Sequence, residues 1–109
     1  MEDPQNSQND VFNEILISIL RELYSHFGKE DMSASLEVTL LFDELQRVSK
    51  FDNLLVEGYP KIPPFELCER INEVSTQIQN LPEKYKLASC RLSVKPGGHM
   101  DIAPVYIQN

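Results

Sequence analysis

The sequence has no tryptophan, two cysteines, two histidines and four glycines, and it contains no long apolar run. Each scarcity excludes something. A membrane-spanning helix needs about 18 or more consecutive apolar residues, and no such stretch exists. Cys68 and Cys90 stand 22 positions apart. That spacing is no disulfide framework, and no second pair completes a zinc site. Cys68 follows Leu67 in a helical pattern, so a reduced, partly buried thiol is expected. Gly97-Gly98 is too short to cradle a phosphate, and neither a dinucleotide fingerprint nor a P-loop is present.

The histidines are His26 and His99. His26 falls near the end of a helical pattern, where a surface histidine is at home. His99 has Asp101 two residues on, but no serine or cysteine in a nucleophile motif stands beside the pair. The carboxylates are dispersed, with no calcium loop and no two-metal cluster. The expectation is therefore a non-enzyme with no catalytic residue, no cofactor and no metal. A small enzyme using His99 is the remote alternative.

Positive charge is also scarce. The 109 residues hold 17 acidic and 10 basic side chains, a formal charge of -7. Residues 1–60 carry 12 acidic and 4 basic groups, and residues 61–109 carry 5 and 6. Such an acidic half repels phosphates, which excludes direct nucleic-acid binding and anionic membrane surfaces. The basic run Lys84, Lys86, Arg91 and Lys95 reads as ordinary solvated surface. The acidic, polar opening MEDPQNSQND is the reverse of a presequence, so an intracellular protein of the nucleus or cytoplasm is expected.

What is present is apolar helical patterning. Residues 1–9 hold almost nothing apolar and read as a disordered acidic and polar N-terminus. Asp10 then offers a helix cap. Phe12, Leu16, Ile19, Leu23 and Phe27 follow steps of four and three, and Ile15, Leu20 and Tyr24 widen the stripe. A helix over 11–27, stopped by Gly28, follows. Glu30, Asp31 and a Ser33 cap lead a second helix over 33–50, on the heptad-like spacing of Ala34, Val38, Leu41, Leu45 and Val48. Phe51, Leu54, Leu55 and Val56 extend it or form an apolar turn before Gly58.

Residues 58–64 read as a stiff proline-rich hinge that sets the angle between helices. Pro60-Lys61-Ile62-Pro63 has the form of a PxxP motif but lacks the flanking Arg or Lys of an SH3 ligand. Pro64 opens a third helix over 64–81, with Leu67, Ile71, Val74, Ile78 and Leu81 on a narrow seam. Pro82 interrupts it, and a short helix over 82–89 is allowed. The tail, 91–109, reads as extended chain or as a β-hairpin about Lys95-Pro96-Gly97-Gly98.

The expected fold is mainly α: a bundle of three to four helices spanning 10–90, coiled-coil-like in its seams, with an extended or hairpin tail. Such apolar helix faces exceed what a chain of this length easily hides alone. The expected function is a scaffold or assembly subunit of a stable multiprotein complex, acting through protein partners. The expected partner-binding residues are Phe12, Leu16, Ile19, Leu23, Phe27, Leu67, Ile71, Val74, Ile78 and Leu81. A self-associating helical-hairpin homodimer and a small monomeric adaptor are the alternatives.

Overall fold

A computed structural model describes residues 4–27 and 34–107 of the chain. The architecture is α/β. Helix α1 spans Pro4–Phe27, followed by strands β1 (Leu36–Phe42), β2 (Val48–Val56) and β3 (Tyr59–Pro60). Helix α2 spans Phe65–Ser75 and runs into single 3-10 turns at Thr76–Asn80 and Glu83–Tyr85. Strands β4 (Leu87–Lys95) and β5 (His99–Tyr106) close the chain. The five strands form one sheet in the order β3-β2-β1-β4-β5, and every neighbouring pair is antiparallel.

This corrects the expected mainly α bundle, together with its helical-bundle and coiled-coil character. The helix expected over 33–50 is strand β1, a turn and the start of β2. The heptad-like spacing there coincides with a second pattern of period two. Leu36, Val38 and Leu40 are buried, while Glu37 and Thr39 between them face outward. Alternation wins because β4 lies alongside and places Val94, Leu92 and Cys90 directly opposite those three residues. Nor does 82–89 form an α-helix: one 3-10 turn leads straight into β4.

The helix expected over 64–81 is α2 plus the 3-10 turn at Thr76–Asn80, which keeps Ile78 buried. The tail is not an appendage. Residues 99–106 pair with β4, and β4 pairs with β1, so the hairpin supplies two of the five strands. At the other end, α1 already begins at Pro4, ahead of the Asp10 cap and within the stretch expected to be disordered. The Gly28 stop, the Glu30–Asp31 lead and the Ser33 cap lie outside the described residues.

The core lies between one sheet face and the two helices. Phe12, Ile15, Leu16, Ile19, Leu20 and Leu23 of α1 are buried with Leu67 and Ile71 of α2 and with the inner residues of β1, β2 and β4. Their spacing makes the stripe of α1 about two residues wide at each turn, because it meets the sheet on one flank and α2 on the other. An Arg70 Nε–Glu22 Oε2 ion pair at 3.1 Å joins the two helices at the surface.

Two polar side chains finish the sheet. Gln46, fully buried in the β1–β2 turn, donates from Nε2 to the Leu87 carbonyl at 3.2 Å and to the Asp43 carbonyl at 3.2 Å. Its Oε1 accepts from the Leu87 N–H at 2.7 Å. The amide thereby acts as a one-residue strand at the head of β4. Asn72 Oδ1 of α2 accepts the Val48 N–H at 2.8 Å, satisfying a backbone donor at the start of β2.

Candidate functional site

The residues that sequence patterning assigns to a partner are mostly spent inside the chain. Phe12, Leu16, Ile19, Leu23, Leu67, Ile71 and Ile78 are buried in its own core, while Phe27, Val74 and Leu81 pack partly buried against it. The sheet covers the apolar area that helices alone would have left open. Surface available to another molecule therefore has to be sought elsewhere.

The remaining candidates for chemistry do not converge. His99 Nε2 stands 3.7 Å from Asp101 Oδ1, beyond hydrogen-bond distance, and both side chains are exposed. They lie on the outer sheet face, since Asp101 is registered with Ser93 and His99 with Lys95. Cys90 lies on the inner face, and burial there pushes its thiol up to about 12, which keeps it protonated. Burial also raises the Cys68 thiol. His26 packs edge-on against Phe27, ring centroids 4.6 Å apart. Among the described residues no group of three or more His, Cys, Asp or Glu could hold a metal ion.

The basic run is divided. Lys84 lies over the Tyr85 ring and Lys86 pairs with Glu83, whereas Arg91 and Lys95 stand on the outer sheet face. Among the described residues no helix covers that face. Its cross-strand rows read Leu55–Glu37–Ser93–Asp101 and Asp52–Thr39–Arg91–Ala103, mostly polar and mixed in sign. This is the composition of a solvated sheet face.

One feature of the surface is not ordinary. In the segment from β3 to the first residue of α2, Tyr59 is 70% exposed, Ile62 91% and Phe65 75%. Single exposed apolar residues are commonplace, but here three large ones fall within seven positions of the chain. The local sequence explains the geometry. Glu57 and Gly58, with φ of +53° and +81°, make a two-residue turn that returns the chain along β2, with Tyr59 opposite Val56 and Pro60 opposite Leu55.

The segment is then held at both ends. Lys61 N–H donates to the Leu54 carbonyl at 2.9 Å, and Cys68 N–H donates to the Pro64 carbonyl at 3.1 Å in the first turn of α2. Pro60, Pro63 and Pro64 fix their own φ, and each pushes the residue before it towards extended backbone. Pro64 has φ −70° and ψ 156°, which is polyproline II geometry. Apolar side chains are thus held in water on a stiff, doubly anchored strap. Covering all three would return about 5–9 kcal/mol of burial energy before the costs of association.

Sequence reasoning saw this segment as a hinge and missed its exposure. The available signal was the run of Tyr59, Ile62 and Phe65 at intervals of three among prolines. Four further exposed apolar residues, Met100, Val105, Tyr106 and Ile107, each less exposed than those three, lie on and just beyond edge strand β5. No known protein family, curated protein or solved structure matches the sequence.

Proposed function

We propose that the protein is a non-catalytic interaction module of a multiprotein assembly, and that it engages its partner through the strap Tyr59–Phe65. The observation that carries this reading is the near-complete exposure of Tyr59, Ile62 and Phe65 on anchored backbone. A hinge needs no such side chains, and a monomer gains nothing from holding them in water. The helix faces, occupied by the sheet, have no role in the contact. The scattered placement of His99, Asp101 and Cys90 on two sheet faces favours binding over catalysis.

The test is purification of the tagged chain from its native source, beside an Ile62→Asp, Phe65→Ser variant and a Lys61→Ala control. Stoichiometric partners should be lost from the double variant and kept by the control, with both variants melting as the native chain does. Partners retained at full stoichiometry by the double variant would overturn the assignment.

Self-association through β5 has its own supporting observation in the exposed Met100, Val105, Tyr106 and Ile107. Pro104 opposes it. Ile107 N–H points to the Lys86 carbonyl, so by alternation the even-numbered residues of β5 turn their amides to the open edge, where Pro104 offers none. A melting temperature that rises with protein concentration would favour the homodimer.

A further inference from the structure

Burial falls away from β4 to β5 along the inner sheet face. The cross-strand partners there are Val94–Met100, Leu92–Ile102, Cys90–Pro104 and Leu87–Tyr106. Every β4 member is buried, whereas Met100 is 44% exposed, Tyr106 is 42% exposed, and Ile102 and Pro104 are half-buried. Helix α1 borders this strip without covering it. Its Phe12 ring meets Tyr106 at 5.9 Å, and further along Leu20 and Tyr24 face Val94 and Met100 across a cleft of about 500 Å³. Asn13, Ile17, Leu20 and Tyr24 lie three or four residues apart and so share that flank of α1. An apolar trough therefore runs between α1 and the open edge of β5. From Met100 to Tyr106 its floor is roughly 20 Å long, the length of about 13 helical residues.

We propose that this trough seats an acidic amphipathic helix of a partner protein, laid on β5 beside α1. Charge selects the acidic character. The chain carries -7 overall, yet Arg21 is the only charged residue lining the cleft. It makes no ion pair among the described residues. The acids of α1 are engaged elsewhere: Asp10 and Glu14 border a separate cleft with Val74 and Gln77, and Glu22 pairs with Arg70. At the Tyr106 end, Lys84 lies over the Tyr85 ring that packs on Phe12.

The sheet edge selects a helix over a strand. An added strand needs amides along β5, and Pro104 offers none in its middle. A helix in a groove engages side chains and needs no edge amide. A second copy has no such helix to give among the described residues, because α1 and α2 both bury their apolar stripes in their own core. The trough and the strap lie at opposite edges of the sheet, so occupation of one leaves the other open.

The experiment pans the intact chain against displayed segments of about 16 residues, tiled across the proteome of its native source, and measures the enriched segments as labelled synthetic peptides. The enriched segments should carry apolar residues at helical spacing and a net negative charge, and should gain helicity on binding. Met100→Asp and Arg21→Glu should each weaken binding tenfold or more, and reversing the peptide's acids to lysine should restore binding to Arg21→Glu. Arg21→Lys should stay within threefold and Ile62→Asp within twofold. Arg21 is exposed, so its variants should melt as the native chain does. No enrichment, or enriched segments indifferent to both Met100→Asp and Arg21→Glu, overturns the proposal. Two other occupants would also overturn it. Dodecanoate bound by the native chain and lost in Met100→Asp, with no peptide bound, would make the trough a fatty-acid site. A dimer in sedimentation velocity that Met100→Asp dissolves would assign it to a second copy. Any of these failures leaves the strap contact standing, since Ile62→Asp tests that separately.

Discussion

Gln46 tests the sheet assignment more sharply than any apolar residue. Its side-chain amide makes three hydrogen bonds, two of them to the backbone of Leu87, and nothing in the turn replaces them. Replacement by methionine keeps the length and the lack of branching but removes every polar atom. The Leu87 N–H and C=O are then left unpaired at a fully buried position. Each costs about 1–3 kcal/mol, so a loss of about 3 kcal/mol is the central expectation. The positive φ of Gln46, +61°, strains methionine as it strains glutamine and cancels from the comparison.

For a domain of this length the unfolding entropy is about 0.23 kcal/mol/K, so about 3 kcal/mol lowers Tm by roughly 13 °C in a calorimetric or circular-dichroism melt. Gln46→Glu sharpens the test. The charged acid still accepts from Leu87 N–H but presents negative charge to two carbonyls. Burial raises its folded pKa above about 4.3, the unfolded value. The folded state then holds the extra proton between those two values. The charge part of the penalty is therefore absent below about pH 4.3 and grows as the pH rises towards the folded pKa, while the loss of the amide's second donor stays at every pH. A Gln46→Met protein melting within about 2 °C of the native chain, or a Gln46→Glu penalty that does not change with pH, would refute the role given to this amide.

Three further outcomes follow from the packing. Ile78→Asp puts a carboxylate into the core and should abolish cooperative unfolding in the isolated chain by costing more than about 4 kcal/mol, whereas a folded variant that only loses partners would place Ile78 at an interface. Asn72→Ala removes the acceptor for Val48 N–H and should cost about 1 kcal/mol, read as a shift of the urea midpoint at constant slope. Asp43 accepts from the Arg47 and Leu45 amides and pairs with the Arg47 guanidinium, and these bonds, the Arg47 amide first, hold its carboxyl below its ordinary value. Its contribution is present above the unfolded pKa and lost as the pH falls through the folded one, so Asp43→Asn should flatten the acid limb of a urea-midpoint profile; an unchanged limb contradicts the assignment.

The sequence made α1 and the apolar residues of α2 readable because a helix writes a long periodic signal with local consequences. Every seam residue from Leu67 to Leu81 is buried or partly so, although its contacts are a sheet and α1 in place of a second chain. The strands were harder. In β1 the residues that alternate, Leu36, Val38 and Leu40, interleave with Ala34, Val38, Leu41 and Leu45, which mimic a heptad. In β2 a bulge near Asn53, at φ +53°, separates the inward positions Phe51 and Leu54 by three residues and so breaks the alternation. Only the non-local pairing of β1 with β4, some fifty residues away, decides between the two patterns, and that pairing has no local signature. The strap was legible as stiff chain from its prolines. That Tyr59, Ile62 and Phe65 stay in water depends on where β3 and α2 are placed, which no local pattern encodes.

The most direct test places a photoreactive amino acid at position 62 and, in a second protein, at position 37 on the outer sheet face, each expressed in the native source and irradiated there. Position 62 should yield one dominant covalent adduct with a partner protein, and position 37 should yield none. Adducts at position 37 with none at 62 would contradict the account, moving the contact from the strap to the open face of the sheet.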